Sequence, residues 1–107
     1  MNTDLLTNPL VKAAVEALNA RDREGWFKLF AADATLSDDG NPHDFRQWSD
    51  SEFFGESKTY LKSIDRVENK GLTFYGRLHS DQWGEFDTFM TFTIQGDKIT
   101  RLDVGQV

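Results

Sequence analysis

Residues Ala17 to Asp38, ALNARDREGWFKLFAADATLSD, decide the fold. Ala17 to Ala20 closes one apolar-periodic helix. Arg21-Asp22 is a tight turn. Asp22 stands where a helix N-cap is needed, and Glu24 puts a carboxylate in the first turn, where the helix dipole favours it. Trp26, Phe27, Leu29 and Phe30 then make one apolar side of a second helix. Thr35-Leu36-Ser37 reads as a short strand that delivers Asp38 at its end.

Working outward, Asn8-Pro9 starts the preceding helix, with Asn8 as N-cap and Pro9 at the first helical position. Leu10, Val11, Ala14, Val15 and Leu18 recur at helical spacing up to about Ala20. Past Asp38, Asp39-Gly40-Asn41-Pro42 is turn-like. Phe45 and Trp48 are three apart, Ser49 to Glu52 has capping-box spacing, and Gly55 ends a short third helix. From Lys58 the pattern changes to period two. Strands are expected over Tyr60–Val67, Leu72–His79, Trp83–Ile94 and Lys98–Gly105, with turns at Ser80-Asp81-Gln82 and Gln95-Gly96-Asp97. Three helices followed by an antiparallel meander is an α+β layout.

The 107 residues suit a single domain over positions 1–107, with a core large enough to need no staples. Without cysteine the chain has no disulfide framework, thiolate metal site or thiol nucleophile. No apolar run reaches the roughly 18 residues of a membrane span, and the start Met1-Asn2-Thr3-Asp4 is polar and acidic, unlike a secretion signal. A cytoplasmic location is the expectation. Net charge is −6, and from Asp33 to Glu56 seven carboxylates are opposed only by Arg46. Such a surface repels phosphate backbones, so nucleic acid is not an expected partner. Nine Phe, three Trp and two Tyr exceed what one small core usually takes up, which points to a lined cavity or an interface.

The order helix, turn, amphipathic helix, strand with terminal Asp38, together with the closing Gly96-Asp97-Lys98-Ile99-Thr100-Arg101-Leu102 hairpin, resembles the nuclear transport factor 2-like superfamily. Its SnoaL-like polyketide cyclases and ketosteroid isomerases are the nearest branch. The resemblance implies a cone: a curved antiparallel sheet wrapped around the N-terminal helices, with a pocket inside. It also implies a general base at Asp38, since the isomerases carry one after the strand that follows the second helix. Such a base moves a proton between carbons beside a carbonyl. The same resemblance puts the isomerases' oxyanion donors at Ala14 and Met90, and neither side chain can donate a hydrogen bond. A donor of that kind is worth about 3 kcal/mol or more, so a steroid-type isomerisation lacks its electrophile here.

Trp26, Phe30, Phe54, Tyr60, Tyr75, His79, Met90 and Phe92 are the expected pocket residues. Which face of the strand over 72–79 looks inward is open, because a one-residue slip exchanges Tyr75, Arg77 and His79 for Phe74 and Leu78. His43, near Asp38 and Asp39, is a candidate acid or base at the rim. Two isolated histidines without ligand spacing predict no metal site, and no cofactor is expected. The resulting reading is a pocket protein for a small hydrophobic molecule. One alternative is an isomerase, cyclase or hydrolase using Asp38; another is a non-catalytic dimeric interaction module. By the same resemblance Glu85, Asp87, Phe89, Thr91 and Thr93 lie on the convex face. Phe89, Thr91 and Thr93 leave a partly apolar stripe there, suited to a homodimer.

Overall fold

The computed structural model describes residues 3–107; Met1 and Asn2, half of the polar start, lie outside the described residues. Helices α1 (Pro9–Asn19), α2 (Arg23–Lys28) and α3 (Phe45–Glu52) accompany six strands: β1 (Phe30–Asp38), β2 (Asn41–His43), β3 (Thr59–Glu68), β4 (Thr73–Ser80), β5 (Gly84–Gln95) and β6 (Lys98–Gln106). They form one curved, unclosed sheet in the order β2-β1-β6-β5-β4-β3.

Local chemistry explains the first two helices. Asn8 Oδ1 accepts from Leu10 N at 2.9 Å and Val11 N at 3.2 Å, satisfying donors that the first turn of α1 leaves open. Asp22 Oδ1 accepts from Gly25 N at 3.0 Å and opens α2. The third helix starts earlier than its sequence spacing suggests. Its cap is Asp44, which accepts from Gln47 N at 2.9 Å. Ser49 is an interior, fully buried residue whose hydroxyl accepts from Trp26 Nε1 at 3.2 Å.

Strands β3 to β6 are the expected antiparallel meander. The antiparallel expectation needs correction at one seam, because β1 runs parallel to β6. Strand β6 presents Ile99, Leu102 and Val104 to the core and needs a partner on both edges. Alternation shows that need without showing the partner's direction. β1 also spans nine residues rather than three. Ala31 to Ala34 has little strand propensity, and the ladder is irregular between Phe30 and Thr35. Phe30 therefore belongs to the start of β1, not to α2.

The helices cover one face of the sheet, and the buried apolar residues form one cluster. Phe74, Leu78, Met90, Phe92, Leu102 and Val104 point into it. At one end, α2 and α3 are pinned by rings packed in tilted and edge-to-face pairs. Phe30 lies 4.3 Å from Phe45, and Trp26 lies 4.9 Å from Phe30 and 5.4 Å from Phe53, between ring centroids. Aromatic pairs in this range add to simple area burial. Much of the aromatic surplus is spent here.

The α1 end is tied to edge strand β3 by a single amide. Asn19 Nδ2 donates to Leu61 O at 3.0 Å, and Leu61 N donates to Asn19 Oδ1 at 2.9 Å. The pair sits beside the bulge of β3 between Leu61 and Ser63. A second irregularity follows between Ile64 and Arg66, with Gly76 of β4 facing Ile64. A methyl group on Gly76 would fall 2.2 Å from Ser63 O, so the close approach of the bulged strand requires glycine.

Candidate functional site

The end of the sheet away from the aromatic cluster is open. There, a cavity of about 470 Å³ lies among the end of β1, the start of β3, the β4–β5 turn, the end of β6 and the end of α3. Leu78, Phe86, Met90 and Val104 make its apolar floor, and Trp48 and Phe53 separate it from the aromatic cluster. Polar groups on the wall come from Asp38, Asp39, Glu52, Thr59, Ser80 and Thr88.

Asp38 reaches this wall because a two-residue turn stops β1 directly after it. Asp39 and Gly40 have φ of +50° and +84°, the double positive φ that a two-residue type I′ hairpin requires. The turn pairs Asp38 with Asn41 of β2, and Pro42 is tolerated because β2 is an edge strand. Asp39 N donates to Val104 O at 3.0 Å, and Asp39 Oδ1 accepts from Gln106 N at 2.9 Å, which fastens the turn to β6.

Trp48 Nε1 donates to Asp38 Oδ2 at 3.1 Å. Trp48 is buried, so one carboxylate oxygen is fixed by a rigid ring. Oδ1 receives no hydrogen bond from the described residues. The other hydroxyls divide by role. Ser80 Oγ accepts from Gln82 N at 3.2 Å and Trp83 N at 3.1 Å, leaving its proton to donate. Thr88 Oγ1 donates to Gly105 O at 2.7 Å, leaving its lone pairs to accept.

Of the residues expected at the site, Asp38 and Met90 line the cavity. Trp26, Phe30 and Phe92 are buried in the core, and Phe54 packs against that core beside Trp26. They hold the cone's closed end rather than its mouth. Tyr60, Tyr75 and His79 lie on the outer face, because Phe74, Gly76, Leu78 and Ser80 take the inner face of β4. His43 is exposed on β2, beside a shallow hollow outside the main cavity. Ala14 is buried away from the cavity wall, and Met90 presents a thioether there, so neither position supplies a donor. Trp48, Phe53, Trp83 and Phe86 line the cavity as well. The spacing of Trp48 behind Phe45 marked a helix face and gave no sign of the bond to Asp38. Among the described residues no group of three or more His, Cys, Asp or Glu is arranged to hold a metal ion, and no helix is long and apolar enough to cross a membrane.

On the outer face, His79 clamps the β4–β5 turn. Its Nε2 lies 2.7 Å from Asp81 Oδ1 and its Nδ1 3.2 Å from Glu85 Oε2, while Tyr60 stacks on the ring at 4.9 Å. Asp81, then Glu85, raises the His79 pKa above its ordinary 6.5. Asp81 is held low by His79, and Glu85 by Lys62 and then His79. The stabilisation from a raised histidine is complete below its unfolded value and is lost as pH rises through the folded one. The depressed carboxylates lose theirs as pH falls through their folded values. The clamp is therefore tightest between the carboxylate and histidine ranges. NMR titration should show His79 ionising above pH 6.5. The stability difference between wild type and His79→Gln should shrink as pH rises past that point; a difference that grows would contradict the clamp.

Three solved structures share this architecture. A protein from Sphaerobacter thermophilus superposes with a TM-score of 0.75 at 17% identity, over 96% of this chain and 97% of its own. A protein assigned as a polyketide cyclase from Sinorhizobium meliloti gives 0.70 at 17%, over 97% and 99%. One assigned as a ketosteroid isomerase from Kribbella flavida gives 0.70 at 12%, over 92% and 75%. No family model and no curated protein matches the sequence. The chain has the nuclear transport factor 2-like fold, in the form shared by SnoaL-like and ketosteroid isomerase-like proteins.

Proposed function

We propose that this protein binds a small, largely apolar molecule in the open end of the cone, with the Asp38–Trp48 pair as its polar anchor. The observation that carries the reading is a cavity of about 470 Å³ with a carboxylate held at its wall by a buried indole N–H. Ligand sites are typically clefts of about 300–1,000 Å³, mostly apolar, with a few placed polar groups. The neighbours assigned as cyclase and isomerase support a small-molecule role in general terms.

The catalytic reading, with Asp38 as general base of an isomerase, cyclase or hydrolase, draws on the free Oδ1. It comes second because the expected oxyanion positions hold Ala14 and Met90. A fragment screen followed by amide NMR tests the first reading. Hits should shift Asp38, Trp48 and Met90, and Asp38→Asn should weaken them tenfold or more, in line with about 1.5–3 kcal/mol for a hydrogen bond to a charged group. Fragments that leave these residues unmoved would refute the pocket reading. Turnover by wild type that disappears in Asp38→Asn would promote the catalytic one.

A homodimer through the outer sheet face is part of the same proposal. No described helix covers that face, and Tyr75, Phe89 and the bonded Thr73–Thr91 pair form a stripe along it, flanked by Arg66, Arg77 and Asp87. Phe89→Glu should convert a dimer to monomers at roughly 50 micromolar, where weak dimers persist. Wild type sedimenting as a monomer at that concentration would contradict it.

A further inference from the structure

The wall of the cavity carries one sign of charge. We propose that its ligand is an organic cation, an ammonium-type group on an apolar, ring-containing body. This deepens the pocket reading above and rests on it.

Three carboxylates line the cavity, from Asp38, Asp39 and Glu52, and Glu85 borders it with its carboxylate turned to the outer face, while no Lys, Arg or His lines it. Glu85 is offset from outside by Lys62 at 3.0 Å and by His79 and Arg77. The other three form no ion pair with any described residue. The bonds they do receive, from Trp48 Nε1 and Gln106 N, come from neutral donors that fix position without cancelling charge. A cleft lined by one sign of charge concentrates ligands of the opposite sign.

The remaining wall fits a cation as well. Thr59 is only 4% exposed and lines the cavity, yet its hydroxyl has no hydrogen-bond partner among the described residues. Its lone pairs, like those of Asp38 Oδ1 elsewhere on the wall, can accept from a donor on the ligand. A carboxylate ligand would face Asp38, Asp39 and Glu52 with only neutral donors, such as the Ser80 hydroxyl and the Gln106 amide, to receive it. Trp83, in the β4–β5 turn, lines the mouth while 67% exposed. With Trp48, Phe53 and Phe86 it gives aromatic faces, and these attract desolvated cations. The carboxylates do not gather into a metal-binding group, and aromatic rings are poor partners for a hard metal ion, so the cation is organic.

Three probes of similar shape and different charge decide this: naphthylmethylammonium, naphthylmethanol and naphthoate. Each is titrated into the full chain and followed by amide NMR and tryptophan fluorescence. The cation should bind about tenfold or more tightly than the alcohol, with its shifts centred on Trp48, Thr59 and Trp83. Added salt should erode that advantage. An Asp38→Asn, Glu52→Gln double variant should lose the preference while still binding the alcohol; Glu52→Gln alone, at the end of α3, is the control if the double variant does not fold. Tighter binding of the alcohol or the naphthoate at the same residues would overturn the cation and leave the pocket standing. Shifts absent with all three probes would overturn both.

Discussion

Trp26→Ala should lower stability by about 3–5 kcal/mol, the range for removing a large buried aromatic side chain. The ring is 1% exposed and stands among Phe30, Phe45, Phe53 and Phe54. Two losses combine. The cavity cannot collapse readily, because α2 and α3 are also held at their present spacing by the Phe27–Phe45 contact, by Arg46 over Phe27 and by the surface Arg23–Asp50 pair. The Ser49 hydroxyl, fully buried, also loses the donor of its hydrogen bond. Trp26→Phe should cost much less, since it keeps most of the packing. Urea midpoints measure both, and near-equal midpoints for wild type and Trp26→Ala would show that the cluster does not hold the closed end. The same loss should loosen Trp48 through Phe53, so ligand affinity should fall along with stability.

Gly76→Ala should be the second most damaging change, although alanine is normally the better residue in a regular element. Its new methyl would meet Ser63 O at 2.2 Å, and that oxygen belongs to backbone that cannot rotate away. Overpacking of this kind costs about 1–3 kcal/mol and sometimes more. The expected structural response is a flattening of β3 away from β4. Amide exchange should then rise along Leu61–Val67 before it rises elsewhere. If Gly76→Ala matches wild type in both stability and exchange, the bulge is not what bends the sheet.

The elements with local causes were legible in the sequence. Asn8 and Asp22 cap their helices within three residues, so a short window contains the whole explanation. The third cap was within reach as well: Asp44 and Gln47 have the spacing, but the Ser49–Glu52 pair competes for the same reading. β1 was not legible in full, because its pairing residues, Phe30 and Thr35 to Asp38, find their partners in distant sequence, at Ile99 and Arg101 to Val104, and Ala31 to Ala34 is carried along in the irregular stretch between them. Period two marked the faces of β4 but not which was inner. The choice falls to the larger apolar set, Phe74 and Leu78, and sends Tyr75 and His79 outward. At the site, Asp38 was readable from the turn that follows it. Its bond to Trp48 was not, because it depends on where α3 lands across the end of the sheet. Of the aromatic surplus, Trp48, Phe53, Trp83 and Phe86 line the cavity, while Trp26, Phe30 and Phe92 lie in the core.

The parallel seam between β1 and β6 also sets the order of assembly. Asp38 is held at the cavity wall by a turn fastened to Val104 and Gln106, so that wall cannot exist until residues 98–106 have been made and have docked. The helices and the β3–β5 meander can pair from local contacts earlier. Joining distant stretches of chain carries a loop-closure cost and slows folding relative to local pairing. During synthesis, the charged mouth should therefore take shape after the helices and the β3–β5 meander, and binding should appear only once β6 is in place.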